Sequence, residues 1–341
     1  MLKQQSGNHS ESCLESTPSC LEPTQKYTGR FAPSPSGQLH FGSLVTALAS
    51  YLDAKHHHGK WLVRMEDIDE PRCIAGTDTA ILHALEVHGL QWDGEVMYQS
   101  KQHSRYQEVV NALLHHEQAY YCSCTRKMVK AMGGTYNGHC RDKGLTPSNG
   151  QLAIRLKLDT EWTPFTDLIM GEVCAPHQKL AGAGHRIEDL RIEKQRVEDI
   201  TIKRRDQLFS YNLVVVLDDV FQGVTHVIRG CDLIDVTPLH RCVHQSLGYQ
   251  PLKYGHVPVA AIAPGRKLSK QNHATPIDNT TALENTVRAL HFLGFDEVKR
   301  QDFSSIDSLL SFAVSLWDRK KVVKTPEIIV PQHESTYYSV P

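Results

Sequence analysis

The feature that most constrains this chain is a strand, a tight turn and a helix in immediate succession. Residues 27–33 read as a short apolar strand, and residues 42–55 carry small and apolar side chains at helical spacing. Between them runs Ala32-Pro33-Ser34-Pro35-Ser36-Gly37-Gln38-Leu39-His40-Phe41-Gly42. A second apolar strand follows at 61–65, with further helical patterns at 77–88 and 104–116. Strands alternating with helices imply a parallel sheet in a doubly wound, Rossmann-like α/β domain. In such a sheet ligands gather at the carboxyl ends of the strands, where the turn falls.

The turn carries chemistry. A tight turn opening a helix presents backbone N–H groups to phosphates. Gly42 leaves room for a flat ring to approach the helix backbone. His40 is placed to donate a hydrogen bond to an α-phosphate as charge builds, although a capping histidine at a helix start would look the same. Far downstream, Lys267-Leu268-Ser269-Lys270-Gln271 follows Pro264-Gly265. A mobile lysine loop of this kind closes on a triphosphate, with Lys270 as the main contact and Lys267 and Ser269 beside it. An exposed lysine pair is the blander reading.

Residues 120–144 differ from what precedes them, being rich in Cys, Gly and Tyr, and read as an inserted module. Cys122 and Cys124 precede Tyr136-Asn137-Gly138-His139-Cys140. Three cysteines this close suggest Zn²⁺ rather than disulfides, and a tetrahedral site asks for a fourth ligand. His139 is the usual type, but it adjoins Cys140. His56-His57-His58 reads as a solvated helix end. The nine cysteines are an odd number and scattered, which fits a reducing cytoplasm.

Residues 151–158 alternate like a strand. The continuous apolar run 213–217 and the segment 224–229 read as buried strands, and 280–295 and 306–317 as amphipathic helices. The heavily charged 182–205 reads as a surface helix or mobile loop. Residues 1–26 are polar, lack the apolar core of a secretory signal and read as a disordered extension. No apolar run approaches the ~20 residues of a membrane span. Net charge is −1, so an RNA partner would be held by local patches, with Lys203-Arg204-Arg205 and Arg319-Lys320-Lys321 as candidates.

Taken with Gly29-Arg30-Phe31-Ala32-Pro33-Ser34-Pro35, Arg64-Met65-Glu66-Asp67-Ile68-Asp69 and the run Asp219–Ile234, the two nucleotide motifs resemble the glutamyl/glutaminyl branch of class I aminoacyl-tRNA synthetases over residues 29–295. The resemblance implies activation of L-glutamate by ATP with Mg²⁺. His40 and Lys270 would be catalytic, with Gly42, Lys267 and Ser269 at the nucleotide. Arg30 would grip a carboxylate bidentately, Arg229 and Tyr211 would hold the other end, and Glu66 the α-ammonium. Ala32 and Ser34 would line that pocket. Which arginine takes which carboxylate stays open. In the resembled family the Tyr136 position supplies a phenolate metal ligand, so Tyr136 joins His139 as a candidate fourth ligand to structural zinc.

Only 71 residues follow Lys270, too few for the anticodon-binding region of a full glutamyl-tRNA synthetase. The chain is therefore most similar to the truncated members of the branch. For these the acceptor is queuosine in the anticodon of tRNA(Asp), acting through a monomer without membrane contact. Charging of a tRNA 3′ end and a non-catalytic RNA-binding role are the rival readings. The implied layout is an extension (1–26), the first half of the catalytic domain (27–119), an inserted zinc module with charged insertion (120–205) and the second catalytic half (206–262). The lysine loop and a helical part (263–323) and a tail (324–341) follow.

Overall fold

The computed structural model describes residues 26–161, 163–173, 197–268 and 274–330. The chain opens with strand β1 (Thr28–Phe31), helix α1 (Phe41–His56), strand β2 (Lys60–Met65), helix α2 (Thr77–Val87), strand β3 (Met97–Tyr98) and helix α3 (His103–His115). β1, β2 and β3 form a parallel sheet in which Arg30 lies opposite Leu62 and Arg64 opposite Met97. Gly59 turns α1 into β2 where the chain meets β1, and a Cβ there would lie 2.6 Å from the carbonyl oxygen of Tyr27.

Next come β4 (Ala119–Cys122), α4 (Arg126–Ala131), β5 (Ala153–Leu156), β6 (Phe165–Asp167), β7 (Gly171–Val173) and β8 (Ile200–Lys203). β4, β5 and β8 form an antiparallel sheet, and β6 and β7 a hairpin. The charged stretch is thus partly strand: Val197, Ile200 and Ile202 are buried apolar anchors, while 182–196 lies outside the described residues.

The chain returns through α5 (Tyr211–Phe221), β9 (His226–Gly230), α6 (Thr237–Ser246) and β10 (Lys253–Val257). β9 and β10 pair in parallel. Thr225 N–H donates to the Thr28 carbonyl over 2.9 Å, so β9 stands beside β1 and the spatial order is β3-β2-β1-β9-β10. The strand order reverses between β1 and β9, the place where ligands bind in such sheets.

The run 213–217 is helical, not a strand. A short apolar run cannot be assigned by periodicity alone, and here every residue of α5 from Leu213 to Asp219 is buried, so the run itself shows no helical spacing. Last are β11 (Val259–Ala263), β12 (Arg266–Lys267), α7 (Ala282–Leu293), α8 (Ile306–Leu316) and β13 (Glu327–Ile329). The stretch read as a tail is not free along its whole length, because β13 pairs in parallel with β11.

Beside two smaller clusters, two large apolar cores result among the described residues. One gathers α1, α2, α7 and α8 with β1 and β2; the other gathers α3, α5 and α6 with β4, β5 and β8. Asp53, on the last turn of α1, is fully buried. It accepts from Tyr27 Oη, Trp317 Nε1 at 2.9 Å and both Arg319 Nε and Nη2 at 2.7 and 2.9 Å. Arg319 therefore serves packing in this fold, and a solvated patch at 319–321 does not include it.

Candidate active site and metal centre

A cavity of about 320 Å³ opens at the carboxyl ends of β1 and β9. Arg30, Ala32, Ser34, His40, Gly42, Glu66, Tyr211, Arg229 and Lys267 all line it. Ser269 and Lys270 lie outside the described residues.

His40 is the N-cap of α1, with extended backbone, and its Nδ1 accepts from Ser43 N–H at 3.3 Å. The capping role and the place in the cavity wall coexist. A Cβ on Gly42 would sit 3.3 Å from His40 Cε1, so glycine keeps the histidine's edge and the helix opening clear. Lys267 pairs with Asp232 at 2.6 Å on the opposite wall, with both side chains partly exposed.

Arg30 and Arg64 meet over one acid. Arg30 Nε and Nη2 approach Asp219 Oδ1 and Oδ2 at 3.3 and 3.4 Å, and Arg64 Nη1 approaches Oδ1 at 2.8 Å. All three are buried. Burial works against the Asp219 carboxylate, but the two guanidiniums outweigh it and hold the group well below the usual carboxylate range. The bidentate grip read for Arg30 is thus made within the chain, on Asp219, and leaves the other edge of its guanidinium to the cavity. Arg64 also reaches Glu66 at 3.5 Å, while Asp218 accepts from Gln99 at 2.8 Å and Tyr106 at 2.8 Å and pairs with Arg105 at 2.5 Å. Burial raises the Glu66 carboxyl above its ordinary range, with Arg64 and Arg30 opposing the shift. Burial, and then the Glu66 charge, push the Tyr211 phenol up to about 12.

Arg229 is held differently. Its Nε donates to His256 Nε2 at 3.1 Å, and its Nη2 to Thr237 Oγ1 at 2.8 Å and the Leu233 carbonyl at 3.2 Å. Nη1 faces His240 Nδ1 at 3.4 Å. Among the described residues no carboxylate pairs with it, although it is only 3% exposed. Asp219, Arg64, His256, His240 and Asp167 were not singled out from sequence. The adjacent acids Asp218-Asp219 inside an apolar run were the available signal, since buried acids need cations.

The three thiols come together. The sulfurs of Cys122, Cys124 and Cys140 lie within 4.8 Å of one another, and Cys124 and Cys140 are 3.6 Å apart. A tetrahedral zinc with ~2.3 Å bonds would separate its sulfurs by ~3.8 Å, so the cluster fits. Tyr136 is buried with them, its hydroxyl 3.7 Å from Cys122 Sγ and accepting from Cys140 N–H at 2.8 Å. His139 is exposed and its ring faces Lys143 instead. Arg155 closes the cluster, donating to Cys122 Sγ at 3.3 Å and stacking on the Tyr136 ring.

The cavity at the switch point of the parallel sheet is thus walled by a helix start, arginines and a carboxylate. The chain belongs to the class I tRNA synthetases (E and Q), whose catalytic-domain model matches residues 26–328. It is 46% identical over 312 residues to the Glutamyl-Q tRNA(Asp) synthetase of Vibrio vulnificus strain CMCP6, covering 91% of this chain and 96% of that one. It is 46% identical over 294 residues to the protein of the same name from Escherichia coli O6:H1, covering 85% and 89%. In three dimensions it is similar to a glutamate tRNA ligase from Elizabethkingia meningosepticum, with a TM-score of 0.67 and 22% identity, over 88% of this chain and 66% of that one. Among the described residues no helix is long and apolar enough to cross a membrane.

Proposed function

We propose that this chain activates L-glutamate with ATP and transfers it to queuosine in the anticodon of tRNA(Asp). The observation that carries the reading is the near full-length similarity to relatives named for that activity. The cavity agrees with it in chemical type, offering arginines for carboxylates and an acid for an ammonium.

In the first step an α-carboxylate oxygen of glutamate attacks the α-phosphorus of ATP. The bond to the bridging oxygen breaks, and pyrophosphate leaves with its Mg²⁺. His40, at the positive end of α1, donates to the α-phosphate oxygens as their charge grows. Lys270 neutralises the triphosphate, with Lys267 and Ser269 beside it, and Gly42 makes room for the adenine. Arg229 with Tyr211 holds one end of the glutamate and the free edge of Arg30 the other, Glu66 holds the ammonium, and Ala32 and Ser34 complete the wall. In the second step a hydroxyl of the queuosine cyclopentene-diol attacks the mixed-anhydride carbonyl and AMP leaves. Cys122, Cys124, Cys140 and Tyr136 would hold a structural zinc that would brace the module between the catalytic halves; a closed set of four protein ligands would give the metal no part in the chemistry. The enzyme works as a cytoplasmic monomer.

The test is transfer of labelled glutamate onto purified tRNA(Asp) with and without queuosine, beside tRNA(Glu). Transfer to the queuosine form alone supports the reading. Charging of the tRNA(Glu) 3′ end replaces it with ordinary synthetase activity. Absence of both, with no glutamate-dependent pyrophosphate exchange, removes the enzyme.

A further inference from the structure

Arg229 is buried in the cavity wall, and among the described residues every group it hydrogen-bonds is neutral. Its Nε can only donate, so His256 Nε2 must accept. The imidazole proton therefore sits on Nδ1, which donates to Asp167 Oδ2 at 2.6 Å. Asp167 is fixed in turn: its Oδ1 accepts the backbone N–H groups of Ile169, Met170 and His256 at 3.0, 2.9 and 3.1 Å. The three side chains are almost fully buried, at 2%, 0% and 3% exposure for Asp167, His256 and Arg229. His240 repeats the pattern, with Nε2 on Asn212 Oδ1 at 3.1 Å and Nδ1 toward Arg229.

Arg30 shows the contrast, because Asp219, which it shares with Arg64, both orients it and offsets part of its charge. A carboxylate in the His256 position would do the same to Arg229 and compete with an anionic substrate. An imidazole whose proton is drawn away by a carboxylate one ring further out fixes the guanidinium's direction and leaves its charge available. We infer that Asp167 and His256 are positioning residues that aim Arg229 at a substrate carboxylate while keeping it uncompensated. The inference rests on the glutamate-activating reading above, and adds residues to it that act through Arg229 and touch no substrate.

The experiment is glutamate-dependent pyrophosphate exchange with glutamate and ATP varied separately, on wild type, His256→Asn, His256→Gln and Asp167→Asn. His256→Asn keeps a donor for Asp167 and removes the acceptor for Arg229. It should raise the KM for glutamate about tenfold or more, the scale of one hydrogen bond to a charged group. The KM for ATP and kcat should stay within about twofold. His256→Gln places an amide oxygen toward Arg229 and should recover much of the loss. Asp167→Asn offers an amide donor to Nδ1, drives the ring proton to Nε2 against Arg229, and should match His256→Asn. Unfolding midpoints are measured alongside; if His256→Asn fails to fold, the comparison of His256→Gln with Asp167→Asn carries the test. An active wild type whose variants keep the glutamate KM overturns the relay alone. So do variants in which both KM values and kcat change in step with stability. A wild type without glutamate-dependent exchange overturns the functional reading and the relay with it.

Discussion

Replacing Asp219 by asparagine keeps the shape of the side chain and removes its charge. Asp219 is the acid on which two buried guanidiniums converge, at 2.8 Å for Arg64 and 3.3 Å for Arg30. The two arginines are not equally dependent on it. Arg64 retains Glu66 at 3.5 Å and Asp218 at 3.8 Å, whereas Arg30, 5% exposed, has no other carboxylate partner among the described residues. The loss is therefore that of stranding one buried cation, about 3–5 kcal/mol. That is a large part of the ~5–15 kcal/mol by which a domain is stable. The carboxyl is depressed in the folded state, so its contribution is fully present above the ordinary carboxylate range and is lost only as the pH falls through the lower, folded value. The difference between wild type and Asp219→Asn, measured by urea unfolding, should consequently be flat from about pH 5 to pH 8. Pairing the change with Arg30→Met should recover most of the loss, since the stranded charge is then gone. A loss below about 1 kcal/mol, or a double variant no better than Asp219→Asn alone, would show that Arg30 does not depend on Asp219 and refute the charge accounting.

Three further outcomes follow from the site and its surroundings. Burial raises the Glu66 carboxyl, and the proposed grip on the ammonium needs its ionised form, so the KM for glutamate should climb as the pH is lowered, and should do so above the ordinary carboxylate range. Kinetics on Glu66→Gln should show a high KM without that pH dependence. Chelation, or Cys140→Ser, should remove bound zinc measured by atomic absorption and loosen the segment around β4 and α4 in hydrogen exchange; unchanged protection after metal loss would deny zinc a structural role. His244 is fully buried, neither ring nitrogen has a hydrogen-bond partner among the described residues, and burial pushes its pKa down to about 4. The unfolded chain then binds a proton the folded one refuses, so stability drains as the pH falls from about 6.5. His244→Leu should gain ~2 kcal/mol on wild type between pH 7.5 and pH 5 in urea titrations, and an equal slope for both would count against it.

The sequence made the strand, turn and helix of residues 27–56 readable because each is encoded locally, by an apolar run, by Pro, Ser and Gly, and by helical spacing. The cavity wall followed in part, since Arg30, His40 and Gly42 sit on that unit and Glu66 ends the next strand. What stayed hidden depends on contacts between distant segments. The Asp167–His256 pair spans 89 residues, and no local pattern marks either member. The helix that backs the cavity was misread at 213–217, because five consecutive apolar residues show no spacing within the run, and that error concealed Asp218 and Asp219 as partners of Arg64 and Arg30. Tyr136 and His139, open alternatives in the sequence, differ in burial: one packs among the thiols and the other faces solvent.

The pairing of β13 with β11 has a consequence in time as well as in space. β11 and β12 form the hairpin that carries Lys267 and leads into the lysine loop, and the parallel neighbour of β11 is drawn from residues 327–329. Translation delivers the chain from the N-terminus, and the helix that starts at His40 is made almost three hundred residues before that strand. A nascent chain thus displays α1 early but leaves the β11–β12 hairpin with an unpaired edge until its last described strand emerges. Throughout that interval the β11 edge is a surface for mispairing, so slow or interrupted synthesis exposes this protein at the hairpin that carries Lys267.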